Sequence, residues 1–331
     1  MAQIVLGIAS SHTPQVSSSA EGWSGHADRD RANPALLAGD GELYSYDELL
    51  AAGPPPGIEA ELAPAVWSAK FERAQQAIAL LAKRLAACDP DVVVVVGDDQ
   101  QEMFGPTGNP AIGLFLGDEL WDLPPGPERM ARMPADIRPA AWAAHAEAPE
   151  PYPVAADRSR ALAEAITGDG FDVTVLSEQP EGRSLGHAFT FARRRLDLAR
   201  STPIVPVFLN TYYPPNVPSA GRAYALGEAI ARAVADWPGD DRVAVVASGG
   251  LSHFVVLEDL DRQVLDGLAR NDGASLGAIP RKLLRTGTSE ILNWIVAGGA
   301  LGGLGFELVD YVAGYRSPAG TGCGMAFAAW S

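Results

Sequence analysis

The side chains of this chain that could do chemistry are histidines and carboxylates placed where apolar runs end. The sequence has only five histidines, so each can be weighed singly. His12 closes the run Gln3 to Ile8 within Ala-Ser-Ser-His-Thr-Pro, a strand entering a polar loop. An imidazole there could ligate a metal or move a proton, because open α/β sheets bind ligands beyond the carboxyl ends of their strands; it could also be a hydrogen-bonded rim histidine. His253 follows Ser248-Gly249-Gly250-Leu251-Ser252 after another apolar run and admits the same two readings. His187 sits in Leu-Gly-His-Ala-Phe, where the glycine lets the backbone come close to another group. His26 and His145 lie in polar or Ala-rich stretches and are expected at the surface.

Carboxylates supply the second half of a possible donor set. Asp98, Asp99 and Gln100 end a run of five consecutive valines. Asp98 and Asp99 could ligate a metal or orient a histidine, although aspartate is also common at strand-to-loop turns. Glu290 lies near a helix start, where a carboxylate also suits the helix dipole. Gly298 to Gly305 is glycine-rich but follows a helix, so it is no phosphate cradle, and no Gly-x-Ser-x-Gly elbow occurs.

The elements that must position these groups alternate. The valine run is β-branched and apolar on both faces, as a central parallel strand covered by helices requires. Phe71, Ala74, Ile78, Leu81 and Leu85 place one apolar stripe on a helix ending near Asp89-Pro90. Strands are expected at 111–116, 171–176, 203–209 and 242–247, with helices near 159–167, from Ala223 to Trp237 and after Gly287. This alternation predicts an α/β fold, a single large domain over 1–331 with a mostly parallel sheet flanked by helices and a site at the C-terminal ends of the strands. Residues 15–58, rich in Gly, Ser, Asp and Pro with a short helix near 45–52, read as an insertion or lid; 118–153 reads as loop.

Composition bounds the partners. A 47% hydrophobic fraction supplies a core, and Cys88 and Cys323 are too few and too far apart for a disulfide scaffold or a cysteine zinc site. With 41 acidic against 25 basic residues the net charge is −16, which repels nucleic acid and anionic membranes. An anionic substrate would need a local cationic patch. No transmembrane run or signal peptide is evident, so a cytoplasmic location is expected, with a homodimer as the default assembly.

Taken in order, these segments resemble the class III extradiol ring-cleavage dioxygenases, the family of the protocatechuate 4,5-dioxygenase catalytic subunit. Gly7 to Pro14 is similar to that family's opening strand and first iron-ligating histidine, which gives His12 that role. The family's valine-rich strand ends in an Asn-Asp-His-like tripeptide carrying the second histidine ligand. Here that place reads Asp98-Asp99-Gln100. His187 corresponds to the catalytic histidine, and Ser289-Glu290 ahead of Trp294 resembles the carboxylate-bearing helix. Asn210 to Pro215, Gly221 to Gly227 and Ser248 to His253 match in order, so the resemblance covers most of the chain outside 15–58 and 118–150.

The resemblance implies Fe(II) held by His12, Gln100 or a water in its place, and Glu290. It further implies His187 as acid/base, His253 lining the pocket, and a catecholic substrate opened with O2. An amide oxygen is a poorer donor than imidazole, so zinc or no metal stays open. So do a non-oxidative hydrolase or decarboxylase on the same scaffold and a non-catalytic partner subunit. No room is expected for a fused small subunit, whose place the 15–58 segment would take as a lid.

Overall fold

The valines after Asp91 are buried from Val92 to Val96, and alternate ones enter different cores: Val92, Val94 and Val96 pack on one face of the sheet and Val93 and Val95 on the other. A strand covered on both sides has no solvent face on which polar residues would be tolerated, which is why the run is uniformly apolar. In the computed structural model, which describes residues 1–331, nine strands form one sheet. They are β1 (Gln3–Ser10), β2 (Val92–Asp98), β3 (Ile112–Phe115), β4 (Thr174–Leu176), β5 (Ile204–Leu209), β6 (Arg242–Ser248), β7 (His253–Val255), β8 (Phe306–Tyr315) and β9 (Thr321–Trp330). Across the sheet the order is β7-β9-β1-β6-β2-β5-β3-β4, with β8 also paired to β9.

The expected α/β architecture forms, and β1, β6, β2 and β5 run parallel at its centre. Antiparallel pairing appears at the margins, where β9 meets β1 and β3 meets β5. Register fixes the height of the strand ends. Ser10 lies opposite Ser248, and Ser248 opposite Gly97. The carboxyl ends of β1, β6 and β2 are therefore level, and the polar clusters after them meet above one edge.

The helix Pro64–Cys88 presents Ala74, Ile78, Leu81 and Leu85 to the sheet, as its stripe predicts. On the opposite face, Ala220–Ala235 and Ile291–Ala300 cross closely. A methyl on Gly227 would lie 2.0 Å from the Val296 carbonyl oxygen, and one on Gly299 2.1 Å from that of Tyr224. This contact seats the helix immediately after Glu290.

Several elements differ from expectation. Residues 15–58 contain the expected helix, Tyr46–Ala52, started by a Ser45/Glu48 capping box. They also contain a second helix, Trp23–Arg31, which has no apolar stripe to reveal it: its inward residues are Trp23, His26, Ala27 and Asp30. The 118–153 stretch is not only loop, since Glu119–Asp122 and Glu150–Pro153 pair as a small antiparallel ribbon. The β8–β9 hairpin at the C-terminus is a further element without a counterpart among the expected ones. No helix is long and apolar enough to cross a membrane.

If the Gly227–Gly299 contact seats the Glu290 helix, Gly227→Ala should destabilise the protein by about 1–3 kcal/mol, the usual range for overpacking. Urea denaturation measures this, and an unchanged midpoint would remove the contact's importance.

Candidate active site

His12 stands just past β1, with its Nδ1 2.9 Å from the Ser248 hydroxyl at the end of β6. That bond orients the ring, so Nε2 faces inward, 3.1 Å from Glu290 Oε2 and 3.9 Å from Asp98 Oδ1. Yet Nε2 is buried and makes no hydrogen bond in the protein. The nitrogen and the Glu290 oxygen are thus close without a hydrogen bond between them. Glu290 is fixed from behind: Gly250 N–H donates to Oε2 at 2.8 Å and the Tyr212 hydroxyl to Oε1 at 3.3 Å. Burial works against the Glu290 carboxylate, but the charges on His12 and His253 outweigh it and hold the group well below the usual range.

The end of β2 divides its work among neighbouring residues. Asp98 is fully buried; its Oδ2 accepts from Gln100 Nε2 at 3.1 Å and its Oδ1 from Asn293 Nδ2 at 3.2 Å. Burial, and then the charge on Glu290, raise its pKa. Asp99 turns away to accept the Met103 and Phe104 amides at 2.8 and 3.3 Å, and burial pushes it up to about 6. Gln100 lines the cavity beside His12, His187, His253 and Glu290. The sequence-predicted site residues therefore come together, although they derive from distant parts of the chain.

His187 begins the helix His187–Leu196, and the glycine before it has a definite cause: a methyl on Gly186 would meet Glu102 Oε2 at 2.5 Å. Glu102 accepts both the His187 amide at 3.1 Å and Nδ1 at 3.0 and 2.9 Å, leaving ring Nε2 for the cavity. Burial opposes a charged imidazole here. The Glu102 charge and hydrogen bond, aided by Asp98 and Glu290, overcome it and push His187 up to about 10, with Glu102 held at about 2. A ring nitrogen of His187 lies within 4.8 Å of donor atoms of both His12 and Asp98. Glu102 was missed in the sequence, though it stands two residues beyond Gln100 in the same strand-end cluster. His253 donates from Nδ1 to the Leu251 carbonyl at 2.9 Å, given the tautomer that bond requires. Beside it lies Cys323, whose thiol burial would raise but His253 and Arg316 bring down to about 7.

The cavity, about 250 Å³, continues outward between Met133, Ile137, Ala140, Phe191 and Phe254. His26 and His145, expected at the surface, are instead buried in its wall. His26 is held between Ser18 and Asp136, at 2.9 and 2.7 Å, and His145 by Asp122 at 3.0 Å. Carboxylate partners distant in sequence keep them inside. Arg29 also borders the cavity. Its Nε donates to Asp136 at 2.8 Å while its terminal nitrogens have no protein acceptor.

Residues 54–326 match the family model described as the catalytic LigB subunit of aromatic ring-opening dioxygenase. The chain is 32% identical over 191 residues to a 2,3-dihydroxyphenylpropionate/2,3-dihydroxicinnamic acid 1,2-dioxygenase of Burkholderia vietnamiensis, covering 58% of this chain and 50% of that one. It is 31% identical over 163 residues to a gallate dioxygenase of Pseudomonas putida, covering 43% of this chain and 44% of that one. A Paraburkholderia phymatum protein with the first of these names is 30% identical over 185 residues, 56% of this chain and 49% of its own. The chain thus spans about half the length of the curated relatives it matches.

The Glu102–His187 pair makes a definite titration expectation. In metal-free Glu102→Gln the His187 pKa should fall from about 10 toward the ordinary value of roughly 6.5. Histidine ring NMR between pH 6 and 10 reads this directly. Because the folded His187 pKa exceeds its unfolded value and the folded Glu102 pKa lies below its own, the pair's stabilisation is complete between about pH 4.5 and 6.5, is lost as pH rises toward 10 and is lost again as it falls toward 2. The variant should lack that decline, and an unmoved His187 titration would show that Glu102 does not hold its proton.

Proposed function

The chain belongs to the family of the catalytic LigB subunit of aromatic ring-opening dioxygenase, and from that membership we propose that it is an extradiol-type ring-cleavage dioxygenase acting on a catecholic compound in the cavity above β1, β2 and β6. The observation that carries this reading is the buried, unpartnered His12 Nε2 facing Glu290 and Asp98, next to a histidine paired with the Glu102 carboxylate.

The residues present fit a divalent cation, since a desolvated imidazole nitrogen without a proton acceptor and adjacent buried carboxylates are otherwise an expensive arrangement. His12 and Glu290 would hold it, with the third place supplied from the strand end at Asp98–Gln100. When bound, Fe(II) supplies the one-electron chemistry between a diol and O2 that amino-acid side chains lack. The chain's own residues do the rest. His187 holds a proton on the nitrogen that Glu102 leaves for the cavity and delivers it to a substrate oxygen as general acid, taking it back to restore the pair. His253, tied at Nδ1, lines the pocket beside Tyr212 and positions the diol. The apolar wall from Met133 to Ala144 and Phe191 excludes water from the ring.

Residues 15–58 act as a lid in this reading, because Gln15, Ser17, His26 and Arg29 all border the cavity. The relatives' names specify 2,3-dihydroxyphenylpropionate and gallate, both carboxylate anions. The free nitrogens of Arg29 suit such a group, so we extend that substrate chemistry to this chain. Free Cys88 and Cys323 fit a reducing cytoplasm, and a closed homodimer is the assembly we expect.

Oxygen uptake by anaerobically iron-loaded protein across a panel of catechols tests the reaction. Turnover should favour carboxylated catechols, and His187→Ala should lower it by roughly 10²–10⁴-fold while leaving bound metal in place. No uptake with any member of the panel would overturn the dioxygenase reading in favour of a non-oxidative pocket enzyme. Arg29→Ala should raise KM for carboxylated catechols by about tenfold or more and leave unsubstituted catechol nearly unchanged; equal effects on both would remove Arg29 from recognition.

A further inference from the structure

We infer that Asp98, and not Gln100, gives the third protein donor to the cation, so that this chain grips its metal through one imidazole and two carboxylates. The inference rests on the reading that the cavity holds a cation, and goes beyond it in assigning the donor. Ligand atoms about 2.1 Å from one ion lie roughly 3.0 Å apart when at right angles and roughly 4.2 Å apart when opposed. His12 Nε2 is 3.1 Å from Glu290 Oε2 and 3.9 Å from Asp98 Oδ1, both within that span.

Gln100 donates to the carboxylate beside it. Its amide nitrogen is bonded to Asp98 Oδ2, and Asn293 Nδ2 reaches from the Ile291–Ala300 helix to Asp98 Oδ1 at 3.2 Å and to the Ser248 carbonyl at 2.9 Å. Two neutral amides thus hold the Asp98 carboxylate, one on each oxygen, and orienting a ligating carboxylate is the work such amides do. Gln100 is then a positioning residue. His187 also lies near; its Nδ1 is committed to Glu102, and the proposed reading gives its other ring nitrogen to proton transfer and not to the cation.

Charge favours the same assignment. Asp98 and Glu290 are 0% and 3% exposed and face each other across His12. Like charges buried together are costly unless a proton or a cation lies between them, and a divalent ion balances both. A neutral glutamine ligand would leave Asp98 without that compensation. The oxygen-rich set should also move the metal preference toward Mn(II) compared with an imidazole-rich one.

The test is anaerobic titration of metal-free protein with Mn(II) and Fe(II), read by calorimetry and, for Mn(II), by its EPR signal, without substrate or oxygen. Asp98→Asn keeps the shape and removes the charge; it should weaken Mn(II) by at least about tenfold, approaching the loss in Glu290→Gln. Gln100→Ala should cost clearly less than Asp98→Asn. Circular dichroism of each apo variant confirms the fold, and Asp98→Glu serves as a second variant should Asp98→Asn not fold, with an altered EPR signal expected. Metal loss in Gln100→Ala with full affinity in Asp98→Asn would overturn the assignment. If Mn(II) depends on Asp98 and no catechol consumes oxygen, the dioxygenase reading fails while this one stands.

Discussion

Burial of acidic and basic donors at one point above the sheet is the constraint on which the rest depends. Glu290, Asp98 and Glu102 are all nearly inaccessible, and each must be compensated locally because water is excluded. Glu102 is answered by His187 through a charged pair. Glu290 and Asp98 are answered by fixed donors: the Gly250 amide and Tyr212 for one, Gln100 and Asn293 for the other. Those bonds satisfy some lone pairs on each carboxylate and leave one oxygen of each near His12 Nε2. On the proposed reading, the protein holds its anionic donors in place and leaves their charge for a bound cation to neutralise.

Such an arrangement demands backbone accuracy, which comes from sheet register and close packing. Level ends of β1, β6 and β2 place His12, Ser248 and Asp98 within reach of one another. Glu290 arrives from the opposite side, at the start of a helix whose glycine-to-glycine crossing allows near contact with the helix Ala220–Ala235. Loop glycines act in the same way: a methyl on Gly250 would lie 1.9 Å from a His253 ring carbon, so only glycine can present its amide to Glu290 beside that ring. A displacement of about 1 Å in any of these supports would spread the donors beyond shared reach.

How much of this was legible in the sequence depends on the range of each signal. Strand ends are local, so His12, Asp98 and His253 could be located from apolar runs breaking into polar clusters. Glu290 was not distinctive by itself and entered through family resemblance, since its partners Gly250 and Tyr212 lie far away in sequence. The glycine before His187 signalled close approach, but the approaching group, Glu102, could be named only from the folded chain. His26 and His145 went the other way. Their polar surroundings suggested solvent, whereas Asp136 and Asp122 draw them into the wall from more than twenty residues away. The helix Trp23–Arg31 was hidden for the same reason, as its inward side includes Asp30, which is bonded to Arg316 and not to solvent. Periodicity detects apolar burial, and this region is buried by polar pairing.

The net charge of −16 and the proposed preference for anionic substrates look opposed, and distance decides between them. At physiological ionic strength exposed charges are screened beyond roughly 8 Å, so the surplus of surface carboxylates acts mainly on the rate of approach. Inside the cavity the relevant groups are few and near. Arg29 is held by one nitrogen to Asp136, which partly neutralises it, yet that same bond fixes the guanidinium plane and leaves its other edge open. A preoriented cation in a partly desolvated wall is worth more to a bound carboxylate than the distant surface charges cost it. The acidic exterior and the proposed cationic recognition element are therefore compatible, since the exterior would govern encounter and Arg29 would govern which encountered molecule stays.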